Sequence, residues 1–159
     1  MGLFNILSQQ NSIKDSILPV AAKNEILNGR LPRLNTDSIF LKSGEYCVYI
    51  DKAILTIDKT KKIYHHTGSS YKGLLGNPVR YGTGHSHEYK EPYQYKGILY
   101  ITNKRVIFQA KENAFEKMHT KLTSIESYSN AVILQYGDKT YQLIVADGNV
   151  VNRALHLLN

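Results

Sequence analysis

The residues best suited to chemistry are His65, His66, His85 and His87, with Cys47 as the lone cysteine. His85 and His87 stand two apart, so on a strand both project to one face, a usable spacing for two metal ligands. Closed zinc sites need four ligands, and Glu88 is the one acidic ligand close by. We therefore expect no metal and no other cofactor. Cys47 would act as a nucleophile only beside a base in a cleft, and its apolar setting points to packing instead. The glycine-rich run Gly68–Gly76 fails as a nucleotide phosphate loop, because Leu74-Leu75 stand where a Lys-Ser/Thr pair should follow the second glycine. Neither a Gly-x-Ser-x-Gly elbow nor paired acids at a catalytic spacing is present. The chain is not expected to be an enzyme.

Charge is the second signal. The formal net charge is +7, and residues 60–121 carry eleven Lys/Arg against four Asp/Glu, whereas 1–59 carry seven against six and 122–159 two against three. Lys61, Lys62, Lys72 and Arg80 lie near the junctions of early strands. They are the candidate anion or lipid ligands, with Arg80 able to make bidentate contacts. A basic patch attracts phospholipid head groups, nucleic acid or an acidic partner, and its bland meaning is a solvated surface. Tyr71, Tyr81, Tyr89, Tyr93 and Tyr95 would serve as stacking platforms for single strands. Tyrosines more often sit on β-surfaces and in cores, and no nucleic-acid motif accompanies them, so that reading ranks last.

The elements that must position these groups are mainly strands. In a chain of 159 residues with twelve tyrosines and no tryptophan, one β-rich domain with a short appendage is expected. Gly97–Ala110 reads as a β-hairpin. Ile98 and Tyr100 share one face and Leu99 and Ile101 the other, while Val106 and Phe108 oppose Arg105 and Ile107. Its turn falls at Thr102-Asn103-Lys104, with Asn103 able to adopt a left-handed conformation. Before it come strands over Glu45–Ile50 and Ala53–Asp58, apolar on both faces and hence covered on both sides. A basic turn at Lys59–Lys62, a short strand over Ile63–Thr67, a loop at Gly68–Gly76 and another turn at Gly82–His87 follow. Lys111–Met118 reads as a charged loop, and Lys121–Tyr128 as helix-like or irregular. Ala131–Tyr136 and Lys139–Val145 form a second hairpin about Gly137-Asp138. A helix from about Val150 closes the chain through Val151, Ala154, Leu155 and Leu158.

Near the N-terminus, Ser12 and Asp15 suggest a helix start with Ile13, Ile17 and Ala21 four apart. Pro19 interrupts, leaving either a kinked helix or a second one from Pro19 to Asn28 stopped by Gly29. The first dozen residues read as this helix's approach or a loose tail. They contain no signal-peptide pattern, and Ile6 spoils a myristoylation motif at Met1-Gly2. Leu31–Ser43 is a connector. No window approaches the length of a membrane span.

Gly97–Phe108, with its Thr102-Asn103-Lys104-Arg105 turn, resembles the hairpin signature of bacterial pleckstrin-homology-like and GRAM domains. Leu41–Glu45 is similar to the entry into their first strand, Val79–Gly84 to their glycine-bounded middle strand, and Leu122–Glu126 to the segment after the hairpin. The resemblance runs from about Leu41 to the end. It implies a domain over 41–159, a barrel of two packed antiparallel sheets closed by a C-terminal helix; residues 1–40 lie outside it and read from their own pattern as a helical extension and connector. It implies no catalysis; some relatives bind phosphoinositides or peptides. The expected function is a non-catalytic interaction module, engaging a protein partner or a second copy. Anionic phospholipid binding through the basic 60–96 region is the alternative, and non-specific nucleic-acid binding the second alternative. The expected location is cytoplasmic, or peripheral to the inner face of the membrane.

Overall fold

A computed structural model describes residues 12–159; the expectations for residues 1–11 lie outside them. The chain divides into two compact units, 58–93 and the remainder. Helix α1 spans Val20–Leu27, and strands β1 Cys47–Lys72, β2 Pro78–Thr102, β3 Arg105–Ala110, β4 Ala114–Met118, β5 Ser124–Tyr128, β6 Ala131–Tyr136 and β7 Lys139–Val145 follow, then helix α2 Gly148–Leu158. The strands make one seven-stranded sheet in the order β4-β3-β2-β1-β7-β6-β5. A barrel of two packed sheets was expected; the strands instead form one sheet that is not closed, in which β1 neighbours β2 on one side and pairs antiparallel with β7 on the other.

Both predicted hairpins form. Ile101 pairs with Val106 and Gly97 with Ala110, while Tyr136 pairs with Lys139 around Gly137, whose φ of 63° suits a tight turn. Alternation sorts the side chains as expected. Leu99, Ile101, Val106 and Phe108 enter the main core, and Ile98, Tyr100 and Ile107 enter a second cluster with Ile39 and Cys47 on the other side of the sheet. α2 is capped by Asp147, whose carboxylate accepts from the N–H groups of Asn149 and Val150. It buries Val150, Val151, Ala154 and Leu155 in the main core.

Four expectations need correction. The first concerns the N-terminal helix, where of the two readings the short helix behind Pro19 forms, as Val20–Leu27, and the longer kinked one does not. Residues 12–19 are not helical, and the buried series is Leu18, Ala22 and Ile26, one residue away from Ile13, Ile17 and Ala21. Pro19 lacks an N–H and fixes the helix start behind it. Gly29 ends α1 at φ +83° as predicted. The second concerns Lys59–Lys62 and Gly82–His87, which are strand, so β1 and β2 run unbroken for 26 and 25 residues. Glycines there permit close strand approach: a Cβ on Gly82 would meet the carbonyl oxygen of Thr67 at 2.7 Å. The loop reduces to residues 73–77, closed by hydrogen bonds from Gly73 N–H to Asn77 O and from Gly76 N–H to Gly73 O. The third concerns β4 and β5, read as a loop and as a helix-like stretch. They are the two end strands of the sheet, where one face is half covered and the hydrophobic signal is halved. The fourth concerns Asn103, which has no positive φ; among the described residues only Asp15 does outside glycine.

Candidate functional site

The turn Thr102–Arg105 is tied to the strand entry by a network of hydrogen bonds. Thr102 Oγ1 accepts from the N–H groups of Lys104 and Arg105, at 3.1 and 3.0 Å, which shapes the turn without a left-handed residue. Asn103 Oδ1 accepts from Tyr46 N–H at 2.9 Å, its Nδ2 donates to Gly44 O, and Lys104 Nζ donates to Ser43 O. Beneath them Arg105 Nε donates to Glu45 Oε1 at 2.8 Å, with Glu116 at 2.8 Å from Nη1 and Phe40 O at 2.6 Å from Nη2. Glu45 also accepts from Lys42 N–H and Thr102 Oγ1, both at 2.7 Å. Burial pushes its carboxyl up. The Arg105 hydrogen bond, the Lys42 N–H, the Thr102 hydroxyl and the guanidinium charge overcome that and hold it at about 2. Residues 42–45 and 102–105 are thus one polar cluster.

Cys47 is buried and donates weakly to the carbonyls of Tyr49 and Ile101. Burial raises its thiol to about 11, so it stays protonated and packs. His119, not singled out by the sequence, is also buried. Its Nε2 donates to Thr102 O at 2.6 Å, and desolvation lowers its pKa despite that bond.

The basic residues occupy the 58–93 unit, a two-stranded ribbon of which no side chain is fully buried. Lys61 pairs with Glu91 and Lys62 with Glu88, the latter at 2.9 Å. Lys59 and Lys61 lie over the Tyr93 ring at 4.5 and 5.3 Å. Since Lys61 and Lys62 are adjacent, they face opposite sides of the ribbon, so the four candidate cations do not converge. Lys72 and Arg80 flank the turn and have no ionic partner among the described residues. The turn carries Leu74 and Leu75, 105% and 89% exposed. Behind it Tyr71 and Tyr81 meet edge to face, ring centroids 6.1 Å apart and both exposed. Of the other tyrosines, Tyr89 is exposed and Tyr95 packs against the main core.

The histidines divide by face. His65, His85 and His87 cluster with ring centroids 5.9–6.4 Å apart. His66 lies on the opposite face, its ring beside Gly68 and Gly84. Sequence reading paired His85 with His87 but had no means to place His65, because the pairing of β1 with β2 was hidden by the turns assumed between them.

Within the larger unit a cavity of about 310 Å³ is lined by Ile13, Lys14, Lys52, Ile54, Lys96 and Gly97. Its three lysines come from segments far apart in sequence, so nothing local could have flagged them. Comparison of the chain with family models, curated proteins and solved structures finds no match.

Proposed function

We propose that the protein is a non-catalytic binding module of pleckstrin-homology-like architecture that docks on anionic membrane surfaces through the turn of its 58–93 ribbon. The observation that carries this is the composition of the turn, with two fully exposed leucines, two exposed tyrosines behind them and, alongside, two cations with no ionic partner among the described residues. Leucines there gain from an apolar phase, tyrosines suit an interface, and cations need anions. Burying two leucines contributes about 1.5–3 kcal/mol each, and each basic residue at an anionic surface about 1 kcal/mol. Summed and set against lost motional freedom, this describes reversible association. The architecture is supported by the strand order, a meander in which the first strand pairs with the last, and by α2 packing over β5 and β6. Such a sheet can roll on itself with its opening between β4 and β5.

The test is sedimentation with vesicles of phosphatidylserine and phosphatidylcholine against phosphatidylcholine alone. Binding should need the anionic lipid and weaken with salt. Lys72→Ala/Arg80→Ala should lower it about thirtyfold. Leu74→Ser/Leu75→Ser should weaken it at equal charge, and Lys61→Ala/Lys62→Ala should do less, because Glu91 and Glu88 already neutralise those lysines. Loss of binding in Lys52→Ala/Lys96→Ala alone would move the site to the cavity.

The second reading, a protein partner or second copy, is favoured by β4 and β5 standing at the ends of the sheet, where an extended peptide could pair. Absence of vesicle binding together with concentration-dependent sedimentation would select it.

A further inference from the structure

We propose that His65, His85 and His87 form a surface site for a borderline divalent transition metal, Zn²⁺ or Cu²⁺, that staples the two strands of the ribbon together. His85 and His87 are two apart on β2, and His65 meets both from β1, with ring centroids 6.4 Å from His85 and 5.9 Å from His87. The His85–His87 separation is 5.9 Å. One i, i+2 pair and one cross-strand neighbour on a single face give three imidazoles a common space above the ribbon.

Distances decide how far the rings are from ligation. With metal–nitrogen bonds of about 2.1 Å and tetrahedral angles, three ligating rings would have centroids about 5.3 Å apart. Each ring therefore has to close by roughly 1 Å or less relative to the others. In their present rotamers no three ligating groups among the described residues hold a metal position. The rings lie on an exposed ribbon, and among the described residues no hydrogen bond or ion pair holds any of the three, so a change of side-chain torsion suffices. The nearby carboxylates are engaged elsewhere, Glu88 with Lys62 and Glu91 with Lys61. The donor set is then three neutral nitrogens with a fourth position open to water. That suits Zn²⁺ and Cu²⁺ and offers nothing to Mg²⁺ or Ca²⁺, which take oxygen ligands.

A physical need for such a staple exists. Residues 58–90 are all exposed apart from the half-buried Gly73, and a two-stranded ribbon without a core is marginally stable in water. A metal bridging β1 to β2 would hold their register where packing does not. The inference is independent of membrane docking, because the metal is titrated without vesicles.

Calorimetric titration with Zn²⁺ should show one equivalent per chain. His65→Ala, His85→Ala and His87→Ala should each weaken it at least about tenfold, since losing a direct ligand costs no less than losing an outer partner. His66→Ala, on the opposite face, should bind as the wild type does. Saturating Zn²⁺ should slow amide hydrogen exchange across residues 63–67 and 83–87 in the wild type and not in the His65→Ala/His85→Ala/His87→Ala variant. Equal weakening in His66→Ala, or wild-type affinity no greater than that of the triple variant, would overturn the site. Binding without slowed exchange would overturn the staple.

Discussion

Replacing Glu45 by glutamine keeps the side chain's shape and removes its charge, and the structure states what that should cost. The Glu45 side chain has no exposure and that of Arg105 only 7%. Each carboxylate oxygen receives two donors. Oε1 takes the Thr102 hydroxyl and Arg105 Nε; Oε2 takes the Lys42 N–H and Arg105 Nη2. A glutamine amide nitrogen would confront two donors in either orientation. The Thr102 hydroxyl can turn to Arg105 O, at 3.2 Å, but the Lys42 N–H and the guanidinium have no such choice. Breaking a buried ion pair from one side costs about 3–5 kcal/mol. Glu116, half-exposed at 2.8 Å, still compensates Arg105, which places the expected loss near 3 kcal/mol. For a chain of this length that lowers the melting temperature by about 6–12 °C, measurable by circular dichroism with urea denaturation as a second determination. Glu45→Gln/Arg105→Met should recover part of the loss, because the orphaned charge goes with its partner. A loss below about 1 kcal/mol for Glu45→Gln would refute the view that this pair locks the turn to the strand entry.

The same cluster sets an acid response. Glu45, held at about 2 against an ordinary 4.5, contributes stability that is present above 4.5 and lost as pH falls toward 2; the shift corresponds to roughly 3 kcal/mol. His119, whose pKa is lowered mainly by burial, is neutral when folded and gains a proton on unfolding. Stability should therefore begin to decline below about pH 6.5, and a His119→Gln variant should lose that first phase in pH-dependent urea melts. Leu155→Asp should cost about 3 kcal/mol or more, since it places a charge without a partner in the main core; an unchanged urea midpoint would reject the capping role of α2. Gly148→Ala should destabilise by about 2 kcal/mol or more, because a Cβ there overlaps the carbonyl oxygens of Tyr128 and Ala131; equal stability in denaturant would show that the helix start can shift.

Local pattern was enough for what is local. The hairpin at Gly97–Ala110, the second at Gly137-Asp138 and the capped helix after Asp147 each announce themselves within a dozen residues, because alternation, turn residues and a cap are all short-range. The parity of Leu99, Ile101, Val106 and Phe108 was legible for the same reason. Tertiary structure alone decided the rest. On β1 the main-core residues are Val48 and then Tyr49, Ala53, Leu55 and Ile57, a change of parity between 48 and 49 that regular alternation does not contain. Buried Asp51 lies between Tyr49 and Ala53 and accepts from the N–H groups of Ile17 and Lys52. Residues 58–72 and 78–93 read as short strands broken by turns, because they have no continuous apolar face to reveal one long strand. Pairing with each other makes them strands, and pairing is a property of two segments. That pairing set Lys61 and Lys62 against Glu91 and Glu88, placed Lys72 and Arg80 beside Leu74 and Leu75, and brought His65 to His85 and His87. Composition could count these side chains; only strand register determines which of them meet.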